Sequence, residues 1–332
     1  MNKIKWWRVA SWLRNIIGRY NFTILQSRLK YLQRFHGDYH YGGKHTVFTK
    51  RTYVFMIDGK TIHGGLSDRL RGAFSVYGYC KDRGIDFKIC WFYPFNLYDY
   101  LQPSTVDWIV EKDQLSFNLN DTEFKFFNTY TDLDGKTEDY YQMLESDKPE
   151  VHVYSNVSID ENRYSEYFSD LFVPSLAVKK VVESCTKEIG GKYISITFRF
   201  IGLLEDFNDD VRWLKKENGM DSSFYVRKCL AYIEKKHIEY QEFKILVTSD
   251  SKLFLQEAKK LPYVYIIPGD IKHMDYNDED DQLSQLKSFG DFLMVSKAEK
   301  CFAYSTGNMF RTSRFAKTAA LIGGRNYYAV HE

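Results

Sequence analysis

From residue 193 onward the sequence alternates between two periodicities. Residues 193–200, 243–248, 263–267 and 301–304 are short runs rich in Val, Ile, Phe and Tyr. Between and after them, helical patterns cover about 222–236, 251–260, 281–297 and 308–321. A strand followed by a helix, several times over, can bury both kinds of apolar surface only as a parallel sheet with helices on both faces. The same order begins earlier, with a strand at 53–57, a helix to about 82 closed by Gly84, and a strand at 87–91. A further helix is expected near 175–188, and shorter strand-like runs (123–127, 151–154) lie among polar loops. The expectation is an α/β chain of two Rossmann-type domains facing a cleft. Residues 46–175 form the first and 176–332 the second, after an N-terminal amphipathic helical segment and linker at 1–45.

In open sheets of this kind ligands bind outside the carboxyl ends of the strands, so those positions carry the chemical question. After the strand 53–57 come His63, Gly64, Gly65, Ser67, Asp68 and Arg69. The glycines let a backbone approach closely, and the amides of the helix that follows suit an anion. Neither GxxxxGK[ST] nor GxGxxG occurs, and a plain strand-to-helix turn has a similar composition. The strand 193–200 ends with Arg199, which is costly inside an apolar run unless paired. At a strand end it can present a bidentate fork to phosphate. Glu205, Asp206, Asp209 and Asp210 follow, as partners for Arg199 or as a solvated loop. Thr248, Ser249 and Asp250 end the next strand, where Asp250 either caps the following helix or holds a purine edge or a ribose hydroxyl. Ser305, Thr306, Gly307 and Asn308 precede a helix carrying Arg311 and Arg314, an arrangement for capping or for anion binding.

Charge and cysteine usage narrow the function classes. The net charge is +2, yet residues 1–36 hold eight Lys/Arg and no acid. Trp6, Val9, Leu13, Ile16, Ile17 and Tyr20 recur there at helical spacing. Such a helix fits an anionic membrane surface or docks on its own domain. Basic residues confined to one amphipathic segment argue against nucleic acid as a partner. The five cysteines (80, 90, 185, 229, 301) are scattered without a CxxC pair, so they read as reduced and buried. The histidines of 36–45 alternate with Gly and Tyr in a linker, and the acids of 275–281 read as a helix start, so no metal is expected. No run reaches the roughly 18 apolar residues of a spanning helix, and the chain is read as cytoplasmic, peripheral at the inner face of the membrane.

Four blocks carry a resemblance: "GGLSDRL", "ISITFRF", "KILVTSDSKLFLQEAKK" and "DFLMVSKAEKCFAYSTGNMFRTSRFAKTAAL". In this order they resemble the GDP-fucose-dependent fucosyltransferase superfamily: bacterial α1,2-fucosyltransferases, nodulation α1,6-fucosyltransferases and protein O-fucosyltransferases. The resemblance spans about residues 53–320. It implies a GT-B-like fold, a GDP-sugar donor, inverting transfer to a glycan hydroxyl, and no metal or other cofactor. Gly64, Gly65, Ser67, Asp68 and Arg69 match the glycine motif beside the diphosphate, with His63 next to it. Arg199 matches the arginine on the β-phosphate. Thr248, Ser249 and Asp250 match the block by the nucleoside. Ser305, Thr306, Gly307 and Asn308 match the block at the phosphates. Two departures stand out. Thr197-Phe198-Arg199-Phe200 replaces the usual His-x-Arg-Arg, and Phe207 occupies the spacing where one branch has its catalytic glutamate. The acid is therefore assigned among Glu205, Asp206 and Asp209. With the basic N-terminus, the resemblance implies a lipid-linked acceptor in surface polysaccharide or oligosaccharide synthesis. The aromatic run 91–101 would hold that acceptor, or else is core. The alternatives are a non-catalytic nucleotide- or glycan-binding relative and a structural component of a polysaccharide assembly.

Overall fold

Thr52–Ile57 (TYVFMI) and Tyr193–Phe198 (YISITF) are buried along their whole length. A parallel strand covered on both faces by helices needs such a run rather than an alternating one. The computed structural model describes residues 37–128, 131–204, 206, 222–271, 274, 281–311 and 313–332, with Trp12, Ile16, Gly18, Phe22, Leu29 and Phe35 ahead of them. Among the described residues the chain order is β1 (Thr52–Ile57), α1 (Leu66–Arg83), β2 (Asp86–Trp91), β3 (Leu101–Pro103), β4 (Thr122–Phe127), α2 (Thr137–Leu144) and β5 (Glu150–Ser155). Then come α3 (Tyr164–Leu171), β6 (Phe172–Pro174), α4 (Leu176–Ile189), β7 (Tyr193–Phe198), α5 (Ser222–Glu239) and β8 (Lys244–Ser249). The chain continues with α6 (Lys252–Ala258), β9 (Val264–Tyr265), α7 (Gln282–Lys297), β10 (Lys300–Ser305), α8 (Phe315–Ile322) and β11 (Asn326–His331).

The chain divides into two compact units. The first holds Arg69–Phe92 and Asp107–Glu161 with the described residues up to His63; the second holds Gly64–Asp68, Tyr93–Val106 and Asn162–Glu332. In the first, four strands pair in the order β2-β1-β5-β4, all parallel. Helix α1 lies so close to this sheet that a Cβ on Gly72 would sit 1.9 Å from the Ser155 carbonyl oxygen. Only glycine fits there.

The second unit pairs five strands in the order β11-β10-β7-β8-β9, again all parallel. Local chemistry sets the helix limits. Ser175 accepts from the Val178 amide at the start of α4, and Gly190 ends it in the left-handed region. Asp281 accepts from the Ser284 amide at the start of α7, as read from the sequence; residues 275–280 lie outside the described residues. The small antiparallel pair β3–β6 also belongs here. Tyr100 pins it to α7, stacking on Phe289 at 4.8 Å and donating its hydroxyl to Gln285 Oε1.

Several expectations need correction or relocation. The helix foreseen over 308–321 begins only at Phe315. Residues 306–310 instead form a turn, in which Gly307 takes φ +53° and the Phe310 amide donates to the Arg199 carbonyl. Strand β11 was not foreseen, because its mixed edge sequence NYYAVH is mostly exposed and carries no clear burial pattern. The sequence reading placed 64–68, 93–106 and 162–175 in the first domain, whereas these segments pack with the second unit. Of the aromatic run, Trp91, Phe95 and Tyr100 are buried, while Phe92 and Tyr98 keep about 37% and 43% exposure. All five cysteines are buried and unpaired as disulfides. In the N-terminal segment Trp12 and Ile16 are helical and exposed; the rest of its apolar stripe lies outside the described residues.

Candidate functional site

Strand β7 runs into Arg199, whose side chain keeps 25% exposure. Its Nη1 lies 3.4 Å from Asp250 Oδ2, just past the end of β8. Asp250 is buried, and its two oxygens accept from the Phe200 and Ile201 amides at 2.8 Å each. Ile201 has φ +46°, so the carboxylate straps a sharp turn that an ordinary residue would resist. Burial pushes the Asp250 carboxyl up from its ordinary value, against the pull of Arg199 and the two amides. Capping of α6 falls to Ser251, which accepts from the Phe254 amide at 3.0 Å. Thr248 pairs with Thr197, hydroxyl to hydroxyl at 2.7 Å, on adjacent strands.

Strand β10 ends at Ser305. Thr306 is buried, the Asn308 amide donates to Tyr225 Oη at 3.5 Å, and the Arg311 Nη2 donates to the Gly307 carbonyl at 3.4 Å. The last strand closes beside them. The Glu332 amide donates to the Ser305 carbonyl at 3.1 Å, and Ser305 Oγ lies 3.0 Å from His331 Nδ1.

The carboxyl ends of β7, β10 and β11 together enclose a cavity. Arg199 and Arg311 bring positive charge to its lining, Thr197, Ser305 and Ser313 bring hydroxyls, and His331 brings an imidazole. Among the described residues no carboxylate side chain lines it. Two guanidiniums and several hydroxyls, with no acid among the described lining residues, favour an anion with several acceptor oxygens, such as a phosphate or diphosphate.

Gly64 has φ +79°, and a Cβ there would meet Asp68 Oδ2 at 2.7 Å. Asp68 in turn accepts from the Gly65 amide at 3.2 Å and donates its own amide to the Gly65 carbonyl, which tightens the start of α1. Gly64, Gly65, Ser67 and Asp68 group with the second unit but are not among the residues that line its cavity. His63 and Arg69 belong to the first. His63 is buried, accepting from the Gly59 amide at 3.2 Å, and the fully buried Arg69 lies over the Trp91 ring at 5.4 Å.

Of the three assigned acids, Asp206 is described. Its Oδ2 accepts from Ser251 Oγ at 2.8 Å and from the Leu253 amide at 2.7 Å, so it serves the N-terminus of α6. Glu205 and Asp209 lie outside the described residues. Of the site residues assigned from the sequence, the structure brings Arg199 and Ser305 into one cavity; Thr248 and Asp250 stand at the neighbouring strand end. Sequence reasoning missed Thr197, Ser313 and His331. The signal for His331 was the glycine pair at 323–324 followed by Tyr-Tyr-Ala-Val, a helix stop before a strand.

No protein-family model matches the sequence. No curated protein matches it either. Solved structures do. The fucosyltransferase NodZ from Bradyrhizobium superposes with a TM-score of 0.53 at 15% identity, covering 83% of this chain and 94% of that one. The NodZ α-1,6-fucosyltransferase soaked with GDP-fucose gives 0.51 at 12% identity, over 82% and 93%. A mutant of Arabidopsis thaliana FUT1 in complex with GDP gives 0.50 at 12% identity, over 92% and 75%. At these identities the likeness concerns the fold: this chain shares the mixed α/β, parallel-sheet architecture of those fucosyltransferases.

Proposed function

We propose that the protein is an inverting, metal-independent glycosyltransferase that moves fucose from GDP-fucose to a hydroxyl of a glycan acceptor. The observation that carries this reading is the cavity at the strand ends that holds Arg199, Arg311 and Ser305 and, among the described residues, no carboxylate. The shared fold of transferases solved with GDP or GDP-fucose supports the donor class. In the reaction the acceptor oxygen forms a bond to the anomeric carbon as the bond from that carbon to the β-phosphate oxygen breaks. The electron pair leaves with GDP. Arg199 and Arg311 stabilise the charge growing on the diphosphate, which preorganised donors do without solvent reorganisation. The acceptor proton passes to a carboxylate among residues 205–210 as general base, and Glu205 and Asp209 are the assigned residues because Asp206 is engaged at a helix start.

The first unit is the acceptor-side domain of a GT-B-like pair in this reading. The basic segment 1–36 holds the enzyme at the cytoplasmic face of a membrane, where a lipid-linked acceptor for surface polysaccharide synthesis lies. Its eight cationic residues and the exposed helical Trp12 and Ile16 support that placement. Among the described residues no helix is long and apolar enough to cross a membrane.

Calorimetric titration with GDP, GDP-fucose, GDP-mannose, UDP and ADP, repeated with Arg199→Ala, tests the donor. Binding restricted to guanine nucleotides and lost in the variant supports it, and failure of every nucleotide to bind rejects it. Binding without release of GDP in the presence of glycan acceptors would favour a non-catalytic nucleotide-binding relative.

A further inference from the structure

The site residues assigned from the sequence all lie before residue 309, yet the last strand delivers a ring nitrogen to the same cavity. We propose that His331 is a positioning residue of the anion pocket: its Nδ1 orients the Ser305 hydroxyl so that the hydroxyl proton faces a phosphoryl oxygen. This deepens the reading above and rests on the cavity being a diphosphate site.

Register fixes the geometry. Ser305 and His331 are directly paired residues of the parallel strands β10 and β11. The backbone clamps both sides of the pair. The Glu332 amide donates to the Ser305 carbonyl at 3.1 Å, and the Gly307 amide donates to the Glu332 carbonyl at 3.4 Å. A side chain on a sheet ladder is held more tightly than one on a loop. The Ser305 hydroxyl has His331 Nδ1, at 3.0 Å, as its one hydrogen-bond partner among the described residues.

Two proton arrangements satisfy that contact. If Ser305 donates to Nδ1, it offers the cavity only lone pairs, which repel an anion. If Nδ1–H donates to Oγ, the hydroxyl proton is left to point into the cavity. Arg199 and Arg311 favour an anionic occupant, and an anionic occupant selects the second arrangement. The carboxylate of Glu332 does not interfere. It accepts from Tyr304 Oη at 3.2 Å, lies 3.5 Å from Lys235 Nζ, and is not part of the lining.

The test is titration of the full chain with inorganic pyrophosphate, GDP and guanosine. In His331→Ala, affinity for pyrophosphate and GDP should fall about tenfold, the worth of one hydrogen bond to a charged group, with guanosine unchanged. His331→Asn keeps a donor near the Nδ1 position and should recover most of the loss. Ser305→Ala added to His331→Ala should cost nothing further, because the two act as one donor. Unchanged pyrophosphate affinity in His331→Ala, equal loss for guanosine, or additive losses in the double variant would overturn the assignment. Thermal unfolding of each variant separates misfolding from a local effect. Pyrophosphate binding without preference for guanine nucleotides would sink the GDP-sugar reading and leave the His331 variants to decide this one. No pyrophosphate binding by the wild type would overturn both.

Discussion

Both units carry polar side chains around a parallel sheet, and they use them in opposite ways. In the first unit Glu150, His152 and Tyr154 occupy alternate positions of β5, so they share one face of the strand. Glu150 Oε1 bonds His152 Nε2 at 2.7 Å, His152 Nδ1 bonds the Tyr39 hydroxyl at 2.6 Å, and the Tyr154 hydroxyl donates to Asp58 Oδ2 at 2.5 Å. His63 stands 3.7 Å from the same Asp58. Acids and donors are buried together and bond one another, with Glu150 Oε2 left over among the described residues. In the second unit the described lining of the cavity is cationic and hydroxyl-rich, with no acid side chain among those residues. Polar groups that bond one another specify a core; a lining with an excess of one charge suits a ligand of the opposite charge.

The comparison can be broken from either side. Arg199→Ala should reduce turnover by roughly 100- to 1,000-fold, the usual cost of one donor to a developing anion. Asp250 keeps its two backbone amides in this variant, so the thermal midpoint should move little. A large drop in midpoint with normal GDP affinity would make Arg199 structural. Glu150→Ala should do the reverse. It removes the partner of His152 and of the Ser116 amide, at a cost of about 3 kcal/mol in urea unfolding, with GDP affinity of the folded protein unchanged. Asp206→Ala should cost about 1 kcal/mol through loss of contacts at the start of α6. Unaltered turnover per folded molecule would confirm that Asp206 is not the base, whereas a fall of 100-fold or more would restore it to that role.

The smallest effect concerns pH. Burial would raise the Asp58 carboxyl, but hydrogen bonds from His63, Tyr154 and the Lys60 amide together hold it below its ordinary value. A carboxyl depressed in the folded state stabilises the fold above its unfolded pKa of about 4, and that contribution disappears as pH falls through the folded value. Asp58→Asn should therefore flatten the acid limb of the midpoint-against-pH curve. An unchanged acid limb would show that the network is not charged at Asp58.

Arg199 was legible from sequence because an arginine at the end of an apolar strand has few inexpensive places to go. The hydroxyl residues at 305–306 were legible as a strand end for similar reasons. Arg69 was assigned from its place in the glycine motif, and the structure buries it in the first unit over Trp91. The network through Asp58, Tyr154 and Glu150 left no trace, since its bonded partners lie up to 113 residues apart and each alone is an ordinary polar residue.

Periodicity is a local property, and it determined the local elements: which stretches become strands, which become helices, and hence a layered α/β architecture with parallel sheets. Strand order is a long-range property. That β10 lies between β7 and β11 brings residues 199, 305 and 331 to one cavity, and no spacing in the sequence encodes that meeting. The charge balance of each strand end, and so whether it closes on itself or stays ready for an anion, was decided only there.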